Sequence, residues 1–265
     1  PNPGRASGLS ASIAMKTPQS RHSRYSEQAI WSESLRQYLI DKTGLGKDSR
    51  VLEVGCGTGA VLDSLQGATS MTCFGVDINL QDLNFLHHTY PALPIAAGDA
   101  YSLPFIADSL DAVVCHFLLL WLKEPVRALQ DMFRVVRPGG WLMAFAEPDY
   151  GGRVDYPQEL AEPGSLQAHA LHLQGADPES GRRLPDWFES IGLEDISCGV
   201  MGAEWQIGQA EPPLETETPT LEHDLEQYVS PDTLDRWGKI SSVAQARGTR
   251  VLFVPTFWAI GRKGS

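Results

Sequence analysis

The sequence predicts an α/β fold in which a doubly wound, mostly parallel sheet carries helices on both faces. Three observations support this prediction: strand-like apolar segments alternate with helical ones, the first strand ends at a glycine-rich turn, and 42% of the 265 residues are hydrophobic. This length and composition suffice for one domain with a complete core. We expect a flexible or cloning-derived arm over residues 1–20, with Met15 as a candidate native start, and a single domain over residues 21–265.

The first half of the chain repeats a strand–helix unit. A helix over residues 25–41, with apolar residues at helical spacing, ends at the glycines of 43–46. Each following strand is a short apolar run, and each intervening segment has helical periodicity. The predicted strands and helices alternate as follows: strand 50–54, helix 58–65, strand 72–76, helix 81–89, strand 95–97, strand 111–116, helix 125–136 and strand 140–146.

The second half is less regular. We divide the domain into a core over residues 45–152 and a lid with a C-terminal strand pair over 153–265. The acidic, proline-rich composition of residues 208–220 indicates a loop, and Ser230-Pro231 interrupts the helical pattern that follows it. The predicted elements are helices at 158–173 and 184–191, a strand at 194–205, one or two helices within 221–246 and a last strand at 250–261.

The segment Val51-Leu-Glu-Val-Gly-Cys-Gly-Thr-Gly59 is the most informative part of the sequence. Glycine has no Cβ, so such a turn can adopt positive φ and let a ligand lie against the backbone. The helix that opens after the turn presents free amide groups, which favour a carboxylate or phosphate. Glu53 is unusual because an acid within an apolar strand needs a partner when it is buried. A cationic ligand, or amide groups and water, would supply one.

The glycine pattern also satisfies the dinucleotide fingerprint G-x-G-x-x-G/A, so an NAD-dependent oxidoreductase is one interpretation. The longer pattern that starts at Glu53 resembles motif I of the class I, Rossmann-like S-adenosylmethionine (SAM) methyltransferases, in particular the small-molecule type of quinone and sterol biosynthesis. Three downstream segments share the resemblance: Phe74-Gly-Val-Asp77, residues 98–105 (Gly-Asp-Ala-Tyr-Ser-Leu-Pro-Phe) and residues 134–142 (Arg-Val-Val-Arg-Pro-Gly-Gly-Trp-Leu). The resemblance implies a seven-stranded sheet with an antiparallel last strand and helical lid insertions.

The same resemblance implies a cofactor site for SAM and its product S-adenosylhomocysteine. Glu53 is expected to face the ammonium group of the cofactor, Asp77 the ribose hydroxyls and Asp99 the adenine amino group. Ile78 and Leu103 are candidates for sandwiching the adenine ring. The expected cofactor-binding residues are Glu53, Gly55, Cys56, Gly57, Gly59, Asp77, Ile78, Asp99, Ala100 and Cys115.

On the acceptor side, methyl transfer to a hydroxyl group usually needs a general base, whereas a thiol, amine or enolate needs less help. The candidate bases near the strand ends are His116, Glu147 and Asp149. Residues 115–121 are apolar and lack the Asn/Asp-Pro-Pro-Tyr signature that resembles nucleic-acid and protein methyltransferases, so we expect a small, fairly apolar acceptor. The expected substrate and lid residues are Tyr25, Trp31, Phe117, Tyr150 and His169.

Charge and cysteine content narrow the class of protein. With 21 basic and 33 acidic residues the formal net charge is −12, which argues against nucleic acid as a partner. The four cysteines form no C-x-x-C motif, so we expect a reduced, cytoplasmic protein without a metal site. No apolar run is long enough to span a bilayer. The alternatives to a small-molecule methyltransferase are an RNA or protein methyltransferase and a non-catalytic SAM-binding protein.

Overall fold

A seven-stranded sheet organises the computed structural model, which describes residues 17–68, 71–202, 225 and 228–265. Its strands are β1 (Arg50–Val54), β2 (Thr72–Asp77), β3 (Ile95–Ala97), β4 (Leu110–Cys115), β5 (Val136–Pro148), β7 (Leu193–Val200) and β9 (Thr256–Lys263). They lie in the order β3-β2-β1-β4-β5-β9-β7. The pairings among β1 to β5 are parallel, whereas β9 is antiparallel to both β5 and β7. The predicted doubly wound sheet with an antiparallel last strand is therefore confirmed.

The helices of the described residues connect and cover these strands. They are α1 (Pro18–Trp31), α2 (Glu33–Thr43), α3 (Ala60–Ala68), α4 (Leu80–Thr89), α5 (Pro125–Val135), α6 (Ala161–Leu173), α7 (Leu184–Ser190) and α8 (Pro231–Ala246). Short 3-10 turns occur at Leu119–Trp121 and Tyr150–Gly152. Within the described ranges, no helix has both the length and the apolar content that crossing a bilayer requires.

Two apolar clusters fill the space on opposite faces of the sheet. Since side chains alternate along a strand, Val51 of β1 packs with α2, α3 and α4, whereas Leu52 packs with α5 and α7. The same alternation runs through β4 and β5, whose inner residues are almost completely buried. Glu53 is two positions after Val51 and therefore points to the face that α2 and α3 cover.

Two predicted elements are divided in the structure. The single helix predicted over residues 25–41 is interrupted at Ser32, which ends α1 and begins α2. The single strand predicted over 250–261 is divided at Pro255, which has no amide hydrogen to donate. Its first part, β8 (Val251–Phe253), pairs instead with β6 (Val154–Tyr156), a strand that periodicity did not predict.

Other bounds differ by a few residues, except that β5 begins four residues earlier than expected and continues to Pro148. The loop predicted over 208–220, the end of the strand predicted over 194–205, and most of the arm over 1–20 fall outside the described residues. The first part of the predicted helical segment 221–246 is also mostly outside: of residues 221–229 the structure describes only 225, 228 and 229.

A substitution in the glycine turn after β1 tests how this turn packs against α4. Gly59 has φ of +87°, and a Cβ there would lie 2.3 Å from Leu86 Cδ1 of α4. We expect Gly59→Ala to lower the free energy of unfolding by about 2–4 kcal/mol, because it combines backbone strain with overpacking. Gly67→Ala is the matched control: Gly67 lies in α3 with no atom within 4 Å of a built Cβ, and the change should be neutral or stabilising by about 1 kcal/mol. Urea unfolding measures both, and equal stability of the two variants would contradict the placement of α4.

Candidate active site

A cavity of about 330 Å³ opens at the carboxyl ends of β1, β2 and β4. In an open α/β sheet this edge is where ligands bind. One wall is the glycine turn with Glu53 and Asp77, and the opposite wall is the apolar segment after β4. The remaining enclosure comes from α1, from the first turns of α3 and α4, from Tyr150 after β5 and from the end of α6. The volume lies within the range of small-molecule sites.

Backbone amides fix the carboxylate of Asp77 at the cavity edge. The Gly57 amide donates to Asp77 Oδ2 at 2.8 Å, and the Asn79 amide donates to Oδ1 at 2.7 Å. Burial raises the pKa of Asp77, and these amides oppose that rise. Each carboxylate oxygen keeps a lone pair that can accept a further hydrogen bond. The arrangement can therefore bind a pair of hydroxyl groups.

Glu53 is the least satisfied polar group of the site. Glu53 is 3% exposed, and its Oε2 atom has no hydrogen-bond partner among the described residues. Burial raises the pKa of Glu53 to about 8, although the nearby Arg36 charge opposes the rise. An enclosed carboxyl oxygen without a partner is costly. A cationic group in the cavity would satisfy it, and the ammonium group of SAM fits this requirement.

Comparisons with known proteins agree with this geometry. A model of the methyltransferase domain family matches residues 52–144. A demethylmenaquinone methyltransferase of Renibacterium salmoninarum is 33% identical over 178 residues, a match that covers 61% of this chain and 73% of the relative. The chain belongs to the class I SAM-dependent methyltransferases. Its cofactor is SAM, and the residues around Glu53 and Asp77 are those that would hold it.

Two further similarities are more distant. Human thiol S-methyltransferase TMT1B is 32% identical over 163 residues, which are 57% of this chain and 63% of the human enzyme. Phosphoethanolamine N-methyltransferase 2 of Haemonchus contortus, solved in complex with SAM, superimposes with a TM-score of 0.57 at 15% identity. That match covers 88% of this methyltransferase but 53% of the nematode chain. At such low identity it shows the shared fold alone.

The predicted cofactor residues divide into two groups. Those on the cavity wall are Glu53, Gly55, Cys56, Gly57 and Asp77. Those outside it are Gly59, Ile78, Asp99, Ala100 and Cys115.

The residues outside the wall lie there for different reasons. Ile78 is 74% exposed, and Asp99 is exposed, with Oδ1 accepting from the Tyr101 amide. Their adenine contacts stay predictions. Cys115 is fully buried in the core, so the structure does not support its predicted cofactor contact. Leu103 also packs in the core rather than beside Ile78.

Of the three predicted general bases, one lines the cavity and two do not. His116 lines the cavity, but Glu147 and Asp149 do not, and the structure corrects their predicted roles. Glu147 is completely buried, and its two oxygens accept from the amides of Leu118, Leu119 and Leu120 at 2.9–3.1 Å. It therefore fixes the apolar wall after β4. A carboxylate so occupied is not placed to remove a substrate proton.

Asp149 has a structural role of the same kind. It is 2% exposed and accepts two hydrogen bonds from Arg182, at 2.5 Å and 2.7 Å. Its Oδ1 also accepts from the Gly152 amide at 3.1 Å. The carboxylate thus links the end of β5 to the segment before α7, away from the cavity.

The helix α1 covers the glycine turn. Arg21 of α1 pairs with the buried Asp82 of α4 at 2.5 Å, and His22 Nδ1 lies 3.0 Å from Thr58 Oγ1. Three residues after His22, Tyr25 lies so close to the turn that a Cβ at Gly57 would be 3.2 Å from its ring. Tyr25 is therefore on the cavity wall, as predicted for a lid residue.

Other lid assignments need correction. Trp31 is 53% exposed and His169 is also exposed, and neither lines the cavity. Leu171 of α6 lines the cavity, and so does Gln174 just beyond the end of the helix. Phe117 and Tyr150 lie on the wall as expected.

The sequence interpretation missed two polar wall residues of α1, Arg24 and Gln28. They are one residue before and three residues after Tyr25, so the helical spacing around Tyr25 was the available signal. It also missed Ser32 and Arg36, whose buried side chains approach His116. No sequence motif marks that pair.

The unsatisfied Glu53 predicts proton release on cofactor binding. At pH 7 a carboxyl with a pKa of about 8 is mostly protonated, and a bound ammonium favours its ionised form. S-adenosylhomocysteine should therefore bind with release of up to about one proton, and its affinity should rise between pH 6 and 7.5. Calorimetry in buffers of different ionisation enthalpy measures the release. Glu53→Gln should abolish it, and proton uptake by the wild type would contradict the role of Glu53.

Because Glu147 accepts three buried backbone hydrogen bonds, we expect its substitution to destabilise the fold. Glu147→Gln would turn an amide NH₂ toward backbone N–H donors and leave a buried donor unsatisfied, so we expect the free energy of unfolding to fall by about 1–3 kcal/mol. The exposed Glu159 supplies the control, Glu159→Gln, which should change little. Denaturant unfolding compares them. Unchanged stability together with lost methyl transfer would instead favour a base at position 147.

Proposed function

We propose that this methyltransferase transfers the methyl group of SAM to a small, fairly apolar acceptor. The observation that carries the proposal is the composition of the cavity wall opposite the glycine turn. That wall consists of apolar and aromatic side chains from the segment after β4, from the 3-10 turn after β5 and from α6, namely Phe117, Leu118, Leu120, Trp121, Tyr150 and Leu171. It matches an acceptor bound through apolar contacts.

The protein's contribution to the reaction would be alignment and exclusion of water. SAM supplies an electrophilic methyl carbon on a sulfonium centre. Glu53 and the glycine turn would orient the amino-acid end of the cofactor, and Asp77 would fix its ribose. The apolar wall would hold the acceptor in line with the methyl carbon. Alignment of this kind is worth roughly 7–11 kcal/mol of the barrier.

The relatives support a small acceptor. The names of the bacterial and human relatives specify demethylmenaquinone and thiols, which are small organic molecules. The apolar wall and the proposed cofactor residues line one cavity of about 330 Å³, which is in the range of small-molecule sites.

A polymer acceptor is the alternative, and charge argues against RNA. The formal net charge is −12, whereas binding a nucleic-acid backbone requires a basic surface. The one unpaired cation that we identify on the described cavity wall, Arg24, is a single charge. We therefore place RNA and protein substrates second.

A methylation assay with labelled SAM tests the proposal. The acceptors would be a reduced naphthoquinone, an alkyl thiol, a substituted phenol, bulk tRNA and a histone mixture. We expect label in one or more small acceptors and none in the polymers. Exclusive labelling of a polymer would contradict the proposal, and tight binding of S-adenosylhomocysteine without any product would favour a non-catalytic binding protein.

Asp77→Ala provides the matched negative control for this assay. It should weaken S-adenosylhomocysteine binding by about 1–3 kcal/mol, because two hydroxyl groups would lose their acceptor. Asp63→Ala removes an exposed carboxylate of α3 instead and should leave the affinity unchanged. Labelling that persists in Asp77→Ala at low SAM concentration would show that another protein in the preparation carries the activity.

A further inference from the structure

His116 is held at one edge of its ring by a serine from the junction of α1 and α2. His116 follows β4 directly and lines the cavity, and its Nε2 lies 2.9 Å from Ser32 Oγ. Ser32 is 1% exposed, so water does not compete for its hydroxyl group. The direction of the Ser32 hydroxyl hydrogen therefore decides which nitrogen of His116 carries the ring proton.

Arg36 restricts that direction. Its guanidinium is buried, and Nη1 lies 2.5 Å from Ser32 Oγ and 2.5 Å from the Ala29 carbonyl oxygen. Arginine has only donors, so Ser32 Oγ must accept from Arg36 and keeps one hydrogen to donate. The Ala29 carbonyl oxygen is 3.3 Å from Oγ and already accepts from Arg36. His116 Nε2 is nearer, at 2.9 Å, and this shorter contact favours donation from the hydroxyl group to Nε2.

The other ring nitrogen, Nδ1, has no hydrogen-bond partner among the described residues. A neutral imidazole whose Nε2 accepts a hydrogen bond carries its proton on Nδ1. His116 Nδ1 makes no hydrogen bond to the part of the chain that the structure describes, and it is not among the completely enclosed polar atoms that lack a partner. Because His116 lines the cavity, Nδ1 is the ring nitrogen left to contact a ligand there.

We propose that Ser32 and Arg36 hold His116 as the Nδ1–H tautomer, so that His116 donates a hydrogen bond to an anionic oxygen of the acceptor. This inference rests on the proposed function and specifies its acceptor. Ser32 and Arg36 are positioning residues, and His116 is the residue that contacts substrate. A general base at His116 would need the opposite tautomer, with Nδ1 free to accept a proton.

The surroundings of His116 favour the neutral ring. The charged group that faces it is Arg36, which is itself close to Glu53. Burial, and to a smaller extent the Arg36 charge, lowers the pKa of His116 to about 3. A group this weakly basic is a poor proton acceptor at neutral pH. As a donor it needs no change of protonation during the reaction.

The acceptor class follows from the proton balance. An acceptor hydroxyl would lose its proton to bulk solvent before transfer, and the oxygen anion would accept from His116 Nδ1–H. Its lone pair then forms the new bond to the methyl carbon while the carbon–sulfur bond breaks and its electron pair stays on sulfur. The products are a neutral methyl ether and a neutral thioether, so no base is required. Phenols, hydroquinones and enols that ionise near neutral pH satisfy this scheme.

Nitrogen NMR of the histidine rings tests the tautomer without any acceptor. The full chain, labelled with ¹⁵N-histidine and saturated with S-adenosylhomocysteine, should show a neutral His116 protonated on Nδ1 from pH 6 to 9. His116→Asn identifies its signals by their loss. Ser32→Ala should abolish the preference for Nδ1–H, whereas Ser23→Ala, which removes an exposed hydroxyl of α1, should leave it intact. An Nε2–H tautomer or an imidazolium ring in the wild type would overturn the proposal.

A chromophoric phenol tests the donor role. In the S-adenosylhomocysteine complex, bound 4-nitrophenol should ionise about one pKa unit lower than in water, because a hydrogen bond to the anion favours it. His116→Leu should remove this shift. His116→Asn should retain it, since the asparagine amide nitrogen can occupy the place of Nδ1. An unshifted pKa in the wild type, or the same shift in His116→Leu, would overturn the proposal.

The two experiments separate this inference from the proposed function. Binding of S-adenosylhomocysteine by each variant shows that the variant is folded. If Ser32→Ala fails to bind, the tautomer of the wild type and the behaviour of His116→Leu and His116→Asn still test the inference. Labelling of a polymer alone would refute the proposed function while leaving the tautomer measurable. An Nε2–H tautomer with methylated phenol would refute the inference alone.

Discussion

The close approach of two separate elements to one glycine turn is the constraint on which the site depends. A Cβ at Gly55 would lie 2.8 Å from the side chain of Leu118, and one at Gly57 would lie 3.2 Å from Tyr25. The missing Cβ atoms thus let the apolar wall after β4 and the lid helix α1 come close to the same backbone. These elements and the turn line the same cavity, and a side chain at either glycine would push Leu118 or Tyr25 away from the turn.

Buried carboxylates of the methyltransferase have opposite roles that depend on their partners. Glu147 receives three amide donors, and Asp149 receives an arginine fork and an amide. These groups are satisfied by the protein and stabilise its architecture. Glu53 is equally buried but leaves Oε2 without a partner among the described residues. A cationic ligand group would therefore satisfy Glu53, whereas Glu147 and Asp149 already have protein donors.

The junction of α1 and α2 connects the lid to the reacting end of the site. Arg21 and His22 attach α1 to Asp82 and Thr58 beside the glycine turn, and Ser32, which follows the other end of α1, contacts His116. One end of α1 is thus attached beside the glycine turn, and the residue that follows its other end contacts His116.

The sequence by itself determined the alternating α/β fold, the glycine turn and the position of Asp77, because these depend on local periodicity and on residue types at fixed offsets from a strand end. Only the tertiary structure decided which acids and lid residues face the cavity. Glu147 and Trp31 are plausible site residues by position. In the structure, however, Glu147 accepts hydrogen bonds from backbone amides, and Trp31 is exposed to solvent. The pairing of β6 with β8 and the contact of Ser32 with His116 join residues about a hundred positions apart. Such contacts are set by how the elements pack, which no local pattern encodes.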